Sequence, residues 1–262
     1  MCLVGCQNMS IQLNKEKSIG KVLYIVEGGW TEAYILRRIF TTIFDYQFEN
    51  LLRTKGYHKY NSKDKATSQV FVINAEESNI KNISKDNEFL NNLFIELIEK
   101  YDFDVDNAAI YYIFDRDNKS NTDSEFIENM LSVLVNSREN EGYDRQGLLL
   151  LSYPSIESFT LSNFRNQTFN KKFETGNELK QYIHNQKINH QRITEETLIK
   201  ATEELLKAFE VMEINDFNVD EFGEDNKKIY EYEEMVYVKE KLYQSLSLMC
   251  ISLIDLGLLE NE

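Results

Sequence analysis

The fold of this chain is decided by the stretch Ala108-Ala109-Ile110-Tyr111-Tyr112-Ile113-Phe114-Asp115-Arg116-Asp117. It is a continuous apolar run, rich in aromatic and β-branched residues, that ends abruptly at acids. Such a run predicts a strand that is buried on both faces of a sheet. In open α/β sheets, ligands bind beyond the carboxyl ends of the strands, which is where this run delivers Asp115 and Asp117.

These two aspartates form an Asp-x-Asp motif. Because side chains alternate along an extended chain, both carboxylates can point the same way while Arg116 points the opposite way. Two carboxylates at a dry strand end repel each other, and a hard cation such as Mg²⁺ relieves that repulsion. An isolated Asp-x-Asp is more often a solvated turn, because aspartate favours turns and so short a motif often arises by chance. The rest of the chain has to decide between these two interpretations.

Three more apolar runs predict strands at residues 21–26, 69–74 and 147–152. Apolar side chains recur with helical spacing in the segments between them, which predicts helices at residues 31–43, 86–101 and 126–135. Strands that alternate with helices indicate a parallel sheet with right-handed crossovers. We therefore expect an α/β fold with a four-stranded parallel sheet flanked by helices.

Four acids fall at the carboxyl ends of these predicted strands, and they are Glu27, Asp115, Asp117 and Glu157. The carboxyl ends of parallel strands share one edge of the sheet, so we expect these acids to lie close together. Carboxylates can hold one or two Mg²⁺ or Mn²⁺ ions, which neutralise a phosphodiester and generate an attacking hydroxide. Gly28 and Gly29 would let the backbone approach a phosphate closely, although two glycines also suit a tight strand-to-helix turn. The chain's only proline, Pro154, would fix the loop that carries Glu157.

At these positions the chain resembles the Toprim domain, in its RloB-like and OLD-like nuclease branches. Residues 26–32, with the sequence VEGGWTE, look like the family's EGxxTE signature, and residues 114–117 look like its DxD motif. Residues 153–159 are similar to the NPxxExW segment that follows the fourth strand in RloB-like proteins. Here Tyr153 replaces the asparagine and Phe159 replaces the tryptophan. The resemblance covers about residues 21–164.

The resemblance implies a Toprim fold and Mg²⁺- or Mn²⁺-dependent endonucleolytic cleavage of DNA or RNA, with tRNA among the candidate substrates. Toprim nucleases of this kind are often effectors of bacterial anti-phage defence that are coupled to an ATPase. The resemblance therefore also implies a nucleic acid substrate and an ATPase partner. A homo-oligomer is compatible with it, and no membrane association is expected.

The resemblance also assigns roles to single residues. Glu27 would be the catalytic glutamate, as base or metal ligand, Asp115 and Asp117 would be metal ligands, and Glu157 would be a supporting acid. The other residues of the motifs would be Gly28, Gly29, Thr31, Glu32 and Arg116. Among these, Thr31 and Glu32 are expected to orient the turn and cap the helix, while Arg116 either reaches a phosphate or pairs with a neighbouring acid.

The formal net charge of −15 argues against a protein that coats a nucleic-acid backbone unaided, since that affinity comes from neutralising phosphates. A local basic groove or a basic partner would then be needed. One basic segment, residues 50–68, interleaves tyrosines with Arg53, Lys55, Lys59 and Lys63. Aromatic and basic residues together suit backbone contact and base stacking, but a solvated loop is the commoner meaning of such a segment.

Three regions are predicted along the chain. Residues 1–20 form a flexible N-terminal segment, residues 21–164 the Toprim-like catalytic domain, and residues 165–262 a helical C-terminal region that is accessory or binds a partner. Within the last region we expect one or two amphipathic helices over residues 176–213, a solvated acidic face over 216–234, and an apolar helical segment over 235–259.

Two other functions explain part of the pattern. A metal-dependent nucleotide-sugar transferase of the DxD type would use Asp115 and Asp117 but would leave Glu27 and Glu157 without a role. A phosphatase with a DxD nucleophile is weaker still, because that motif belongs after a first strand. The third alternative is a non-catalytic Toprim-like subunit that senses or binds a partner.

The three cysteines, Cys2, Cys6 and Cys250, form neither a metal-ligand pattern nor a disulfide framework. The first 18 residues lack the apolar stretch of a signal peptide, and no segment is long and apolar enough to span a membrane. The sequence therefore predicts a cytoplasmic protein.

Overall fold

The computed structural model describes residues 11–28, 30–52, 57–75, 79–84, 88–119, 121–139, 146–214 and 217–261. Its strands are β1 (Ile11–Leu13), β2 (Lys21–Val26), β3 (Gln47–Leu52), β4 (Tyr57–Asn61), β5 (Gln69–Asn74), β6 (Ala108–Asp115), β7 (Val135–Asn136), β8 (Gly147–Tyr153), β9 (Lys172–Phe173), β10 (Tyr243–Gln244), β11 (Leu246–Ser247) and β12 (Leu259–Asn261). Its helices are α1 (Thr31–Arg38), α2 (Glu88–Tyr101), α3 (Ser124–Val133), α4 (Glu157–Phe164), α5 (Gly176–Asn185), α6 (Glu195–Val211), α7 (Phe222–Glu240) and α8 (Met249–Asp255). A π-helical turn, Ile39–Ile43, continues α1.

The four predicted strands are all present and lie side by side in the order β5, β2, β6, β8, each parallel to the next. Their apolar side chains are buried along almost their whole length, as expected for strands that are covered on both faces. The fold is therefore α/β, as predicted. The sheet is larger than expected and mixed, because antiparallel strands extend it at both edges.

At one edge, β3 and β4 form an antiparallel hairpin that pairs with β5. The prediction of a loop over residues 50–68 is therefore wrong for the strand residues. Tyr57 and Tyr60 of β4 are buried, while Lys59 lies between them and places its ammonium 5.7 Å from the Phe71 ring. The polar composition reflects outward-facing side chains of a strand that is only half buried.

At the other edge, β11 and β7 each pair antiparallel with β8. The C-terminal region is mostly helical, as predicted, and its short strands complete the sheet. The acidic stretch predicted as a solvated face contributes most of α7, in which Glu233 is fully buried. The segment 235–259 contains the end of α7, the short strands β10 and β11, and α8, so the helical prediction holds for only part of it.

The N-terminal and C-terminal parts share one hydrophobic core. Strand β1 pairs antiparallel with β12, and the Tyr24 hydroxyl of β2 donates a hydrogen bond of 3.0 Å to Ser252 Oγ of α8. The Tyr24 and Tyr111 rings stack at 5.1 Å on neighbouring strands. Within the described residues, none of the helices combines the length and apolarity needed to cross a membrane.

Candidate functional site

The carboxyl ends of β2 and β6 bring Glu27 and Asp115 together. The two strands are paired in parallel, and Glu27 directly follows Val26 at the end of β2. Glu27 Oε2 accepts hydrogen bonds of 2.8 Å from the Asp115 backbone N–H and from the Asn121 amide. Asn121 also donates to the Asp115 carbonyl at 2.7 Å, so one amide ties both acids to the end of β6.

Glu157 joins these acids from the neighbouring strand. The Tyr153–Pro154 peptide bond at the end of β8 is cis, and Glu157 is the first residue of α4. The Ile156 N–H donates to Asp115 Oδ1 at 2.7 Å, which holds the start of α4 against the end of β6. Glu157 itself is buried, and its Oε2 accepts a bond of 2.8 Å from Ser155 Oγ.

Glu32 is the fourth carboxylate of this group, although the motif suggested only a supporting role. It is buried on α1, and its Oε1 accepts a bond of 3.1 Å from the Gly28 N–H. A Cβ at position 28 would collide with the Glu32 carboxylate, so a larger residue there would displace the end of that side chain. The expected cap is absent, because Trp30 occupies the N-cap position and Thr31 is the first helical residue.

Burial and mutual repulsion dominate the electrostatics of this carboxylate cluster, which consists of Glu27, Glu32, Asp115 and Glu157. The pKa of Asp115 lies well above its usual value, first because of burial and then because of the charges of the other three acids. The hydrogen bond from the Ile156 N–H acts in the opposite direction. Burial, followed by Glu157 and Glu27, raises the pKa of Glu32 to about 7. The cluster therefore favours bound protons or a cation over four free anions.

Two basic side chains complete the cluster, and neither was predicted. Lys180 of α5 is half-exposed and places its Nζ 3.7 Å from Glu157 Oε1. Burial alone would lower its pKa, but attraction to Glu157, Asp115 and Glu32 raises the pKa overall. His190 also lies within the field of Glu157, although burial lowers its pKa. No local motif marks either residue, because both reach the site through packing of the C-terminal region.

Asp117 faces a different element from Asp115. Its Oδ2 accepts a bond of 2.9 Å from the Gly176 N–H at the start of α5, and its Oδ1 accepts one of 2.7 Å from the Lys119 N–H. A Cβ on Gly176 would come within 2.9 Å of the Ser155 Cβ, so the glycine permits this close approach. The two aspartates of the motif thus anchor two different helices.

Arg116 is buried and points away from the cluster. Its Nη2 lies 2.8 Å from Glu234 Oε2 and 3.0 Å from Ser124 Oγ, and its guanidinium lies 5.5 Å from the Tyr243 ring centroid. Of the two roles considered for Arg116, the structure shows the ion pair with an acid. That acid comes from α7, 118 residues along the chain.

The basic segment is separate from these contacts. Lys63 pairs with Asp45 at 2.6 Å, and Lys59 covers Phe71 as described above. Arg53 and Lys55, together with Gly29 of the glycine turn, lie outside the described residues.

The donor chemistry of the carboxylate cluster suits a hard cation, because its side chains offer oxygen ligands whose anions repel one another. The oxygens are, however, committed to N–H, amide and hydroxyl donors. Across the described ranges, no group of three or more His, Cys, Asp and Glu side chains is arranged to hold a metal ion. The described side chains therefore have the chemistry of cation ligands, but they are not spaced as the ligands of a bound metal ion.

Comparisons with models of protein families, with curated proteins and with solved structures give no match to this chain. Functional conclusions therefore depend on the geometry itself. A buried group of acids at the carboxyl edge of parallel strands, with a lysine beside it, occupies the position where open α/β sheets bind their ligands. Strongly perturbed carboxyl groups at such an edge are typical of a functional site.

Proposed function

We propose that this protein is a divalent-metal-dependent endonuclease that hydrolyses phosphodiester bonds of nucleic acid. The observation that carries the proposal is the convergence of Glu27, Asp115 and Glu157 at the ends of three parallel strands. Burial, and then the charges of the neighbouring acids, raises the pKa of Asp115, so a bound cation would relieve the repulsion between these carboxylates. The resemblance to Toprim nucleases, motif by motif over residues 21–164, agrees with this proposal.

Each residue has a role in the proposed reaction. Glu27, Asp115 and Glu157 would hold Mg²⁺ or Mn²⁺, which supplies charge neutralisation and a water of lowered pKa. Lys180 provides a positive charge beside Glu157 that suits a phosphate oxygen. Asp117 positions α5, and therefore Lys180, through the Gly176 N–H. In this proposal the protein places the phosphate between the metal ion, which the carboxylates hold, and the Lys180 ammonium.

The divergence of the two motif aspartates disfavours the nucleotide-sugar transferase. In that alternative, Asp115 and Asp117 hold one metal and one diphosphate between them. Here the Asp115 carboxylate lies against the start of α4 and that of Asp117 against the start of α5. The acids that do converge come from three strands.

The proposal includes a partner. With a net charge of −15, the chain has little general affinity for a polyanion. We propose that an ATPase partner, as in the defence systems of the nucleases that this chain resembles, delivers or retains the nucleic acid.

The test is a cleavage assay with labelled single-stranded and duplex DNA and RNA, in Mg²⁺, in Mn²⁺ and with a chelator. We expect metal-dependent cleavage by the wild-type protein and a decrease of about 100-fold or more for Asp115→Asn, as for the loss of a group that acts in the transition state. Asp220→Asn is the matched control, because Asp220 is exposed and lies outside the cluster. Equal cleavage by Asp115→Asn and wild type would contradict the proposal.

A further inference from the structure

A run of three stacked rings lies on the surface beside the carboxylate cluster. Trp30 and Tyr34 are stacked with centroids 6.1 Å apart and planes 27° apart, and His190 continues the stack from Tyr34 at 6.3 Å and 15°. Trp30 is 74% exposed and Tyr34 is 43% exposed. A single exposed ring is common on protein surfaces, but a contiguous, ordered stack of exposed rings indicates a binding surface.

Positive charge borders this ring stack. Arg37 and Arg38 follow on the same helix, and with Tyr34 and His190 they line a shallow groove of about 380 Å³. The Arg37 guanidinium lies 4.0 Å from the Phe48 ring centroid, and Arg38 Nε donates to the Ile193 carbonyl at 2.9 Å. Both arginines are therefore held in place, with their charge at the surface, in a chain that is strongly acidic as a whole.

Helix α1, with Trp30 directly before it, contributes side chains to both the ring stack and the carboxylate cluster. On α1, Glu32 points inward to the cluster, while Trp30 before it and Tyr34 after it are exposed. His190, at the other end of the stack, lies close enough to Glu157 for that negative charge to oppose the lowering of the His190 pKa by burial. A chain that lies along the rings therefore passes directly beside the carboxylates.

We infer that the Trp30–Tyr34–His190 stack binds unpaired bases of a single-stranded nucleic acid, with Arg37 and Arg38 beside its phosphates. Aromatic platforms next to cations are the usual means of holding single strands, because every base offers a flat face for stacking. A duplex hides those faces, so the site discriminates against it. The inference rests on the proposed nuclease function and narrows its substrate to single-stranded or locally unpaired nucleic acid.

Trp30 is the only tryptophan of the chain, so tryptophan fluorescence reports on this site alone. The assay titrates the full-length protein, with a chelator present so that nothing is cleaved, with a 15-nucleotide single-stranded DNA, the same sequence as RNA, and the corresponding duplexes. We expect quenching of Trp30 by the single strands and little by the duplexes. No change in Trp30 fluorescence with any of the oligonucleotides would overturn the inference.

Variants separate stacking from folding. Trp30→Ala removes the ring at one end of the stack, and Tyr34→Ala removes the central ring that links Trp30 to His190. Each should therefore weaken single-strand binding about 10-fold or more, measured by anisotropy of a labelled oligonucleotide. Tyr34→Phe keeps the ring and should bind like wild type. Val238→Ala, at a 69% exposed apolar position on α7, is the control for loss of surface area. Equal affinity of Tyr34→Ala and Tyr34→Phe for the oligonucleotide would overturn the inference. So would variants Trp30→Ala and Tyr34→Ala that bind the oligonucleotide like wild type but no longer bind the ATPase partner.

The two proposals fail differently. If single strands bind in chelator and depend on Trp30, but no metal supports cleavage even with the ATPase partner present, the nuclease proposal fails and the binding site stands. If the wild type cleaves while Trp30→Ala and Tyr34→Ala neither bind more weakly nor cleave more slowly, the site assigned to the ring stack is wrong and the nuclease proposal stands.

Discussion

Acids at two places in this protein are neutralised in different ways. In the carboxylate cluster, burial and then the neighbouring acids raise the pKa values of Asp115 and Glu32, and the half-exposed Lys180 stands 3.7 Å from Glu157. On α7, Glu234 has a buried arginine at 2.8 Å and accepts a hydrogen bond of 3.1 Å from the Tyr243 hydroxyl. The second group is thus paired within the fold, whereas the first is only partly compensated.

The difference originates in three consecutive residues. Alternation at the end of β6 directs Asp115 into the cluster and Arg116 toward α7, while Asp117 binds the start of α5. A buried charge with a fixed partner is a structural device, and removing one member exposes the cost of burying the other. Acids left in mutual repulsion at a sheet edge instead favour a ligand. The comparison predicts that mutations at one place change the stability of the fold and mutations at the other change the binding of a cation.

The largest effect is expected at Arg116. Arg116→Met leaves Glu234 partly buried without its cation, so the free energy of unfolding should fall by about 3–5 kcal/mol, as for other broken buried pairs. Denaturant unfolding at pH 7 measures it. Lys228→Ala, which breaks the exposed pair with Asp225, should cost less than about 1 kcal/mol. A similar loss for both variants would remove the distinction between a buried and a surface pair.

The second effect sharpens the comparison through metal binding. Mg²⁺ or Mn²⁺ at about 100 times its dissociation constant should stabilise the wild type by about 2.7 kcal/mol, visible as a higher Tm. Asp115→Asn should abolish this shift. Glu234→Gln should lower the Tm of the protein without metal and keep the shift, because its carboxylate belongs to the paired group. A metal-induced shift that survives Asp115→Asn would place the cation elsewhere.

The sequence predicts the half of the site that depends on local pattern. Apolar runs locate the four central strands, and the common edge of parallel strands brings Glu27, Asp115 and Glu157 together. Both inferences need only residues that are adjacent in sequence or in the sheet. The position of Glu32 close to Glu27 also follows from the sequence, because Glu32 lies in the first turn of the helix after the glycine turn. Its burial does not follow, since an acid in a first helical turn is usually exposed.

The remaining features depend on contacts that no local pattern announces. Lys180 and His190 reach the cluster only because the C-terminal region packs against α4 and α1. The pair between Arg116 and Glu234 joins residues that are 118 positions apart. The sequence does not show which acid of the run 216–234 faces the interior. The β3–β4 hairpin was missed for a related reason, because an edge hairpin needs only a few inward apolar residues.

The third effect concerns Glu233, which is fully buried beside the paired group. Its Oε2 accepts a bond of 3.1 Å from the Gln244 N–H, while Oε1 has no hydrogen-bond partner among the described residues. Burial raises its pKa to about 8, against the opposing hydrogen bond from the Gln244 N–H. The folded state therefore holds a proton that the unfolded chain releases near pH 4.5, and this contribution to stability is lost as the pH rises toward 8.

Glu233→Gln removes that titration. The pKa difference corresponds to at most about 5 kcal/mol at pH 9, and an amide with an unpartnered N–H returns part of it, so we expect the variant to exceed the wild type by about 2 kcal/mol there. Below pH 4.5 the titration contributes nothing, so the variant should be less stable than the wild type by the cost of the unpartnered amide N–H, about 1–3 kcal/mol. Unfolding curves at pH 5, 7 and 9 measure the trend, and a constant difference across that range would show that Glu233 does not titrate with folding.

The smallest effect decides to which group Asp117 belongs. Its carboxylate accepts N–H bonds from Lys119 and from Gly176 at the start of α5, where a negative charge also interacts favourably with the helix dipole. Asp117→Asn should therefore lower the free energy of unfolding by about 1 kcal/mol, because the charge is lost and the single amide oxygen can accept only one of these two bonds. It should preserve most of the Mg²⁺-induced Tm shift, since the residue positions α5 and does not hold the ion. If Asp117→Asn instead abolished the shift as completely as Asp115→Asn, Asp117 would be a metal ligand, and its bond to Gly176 would have to break when the ion binds.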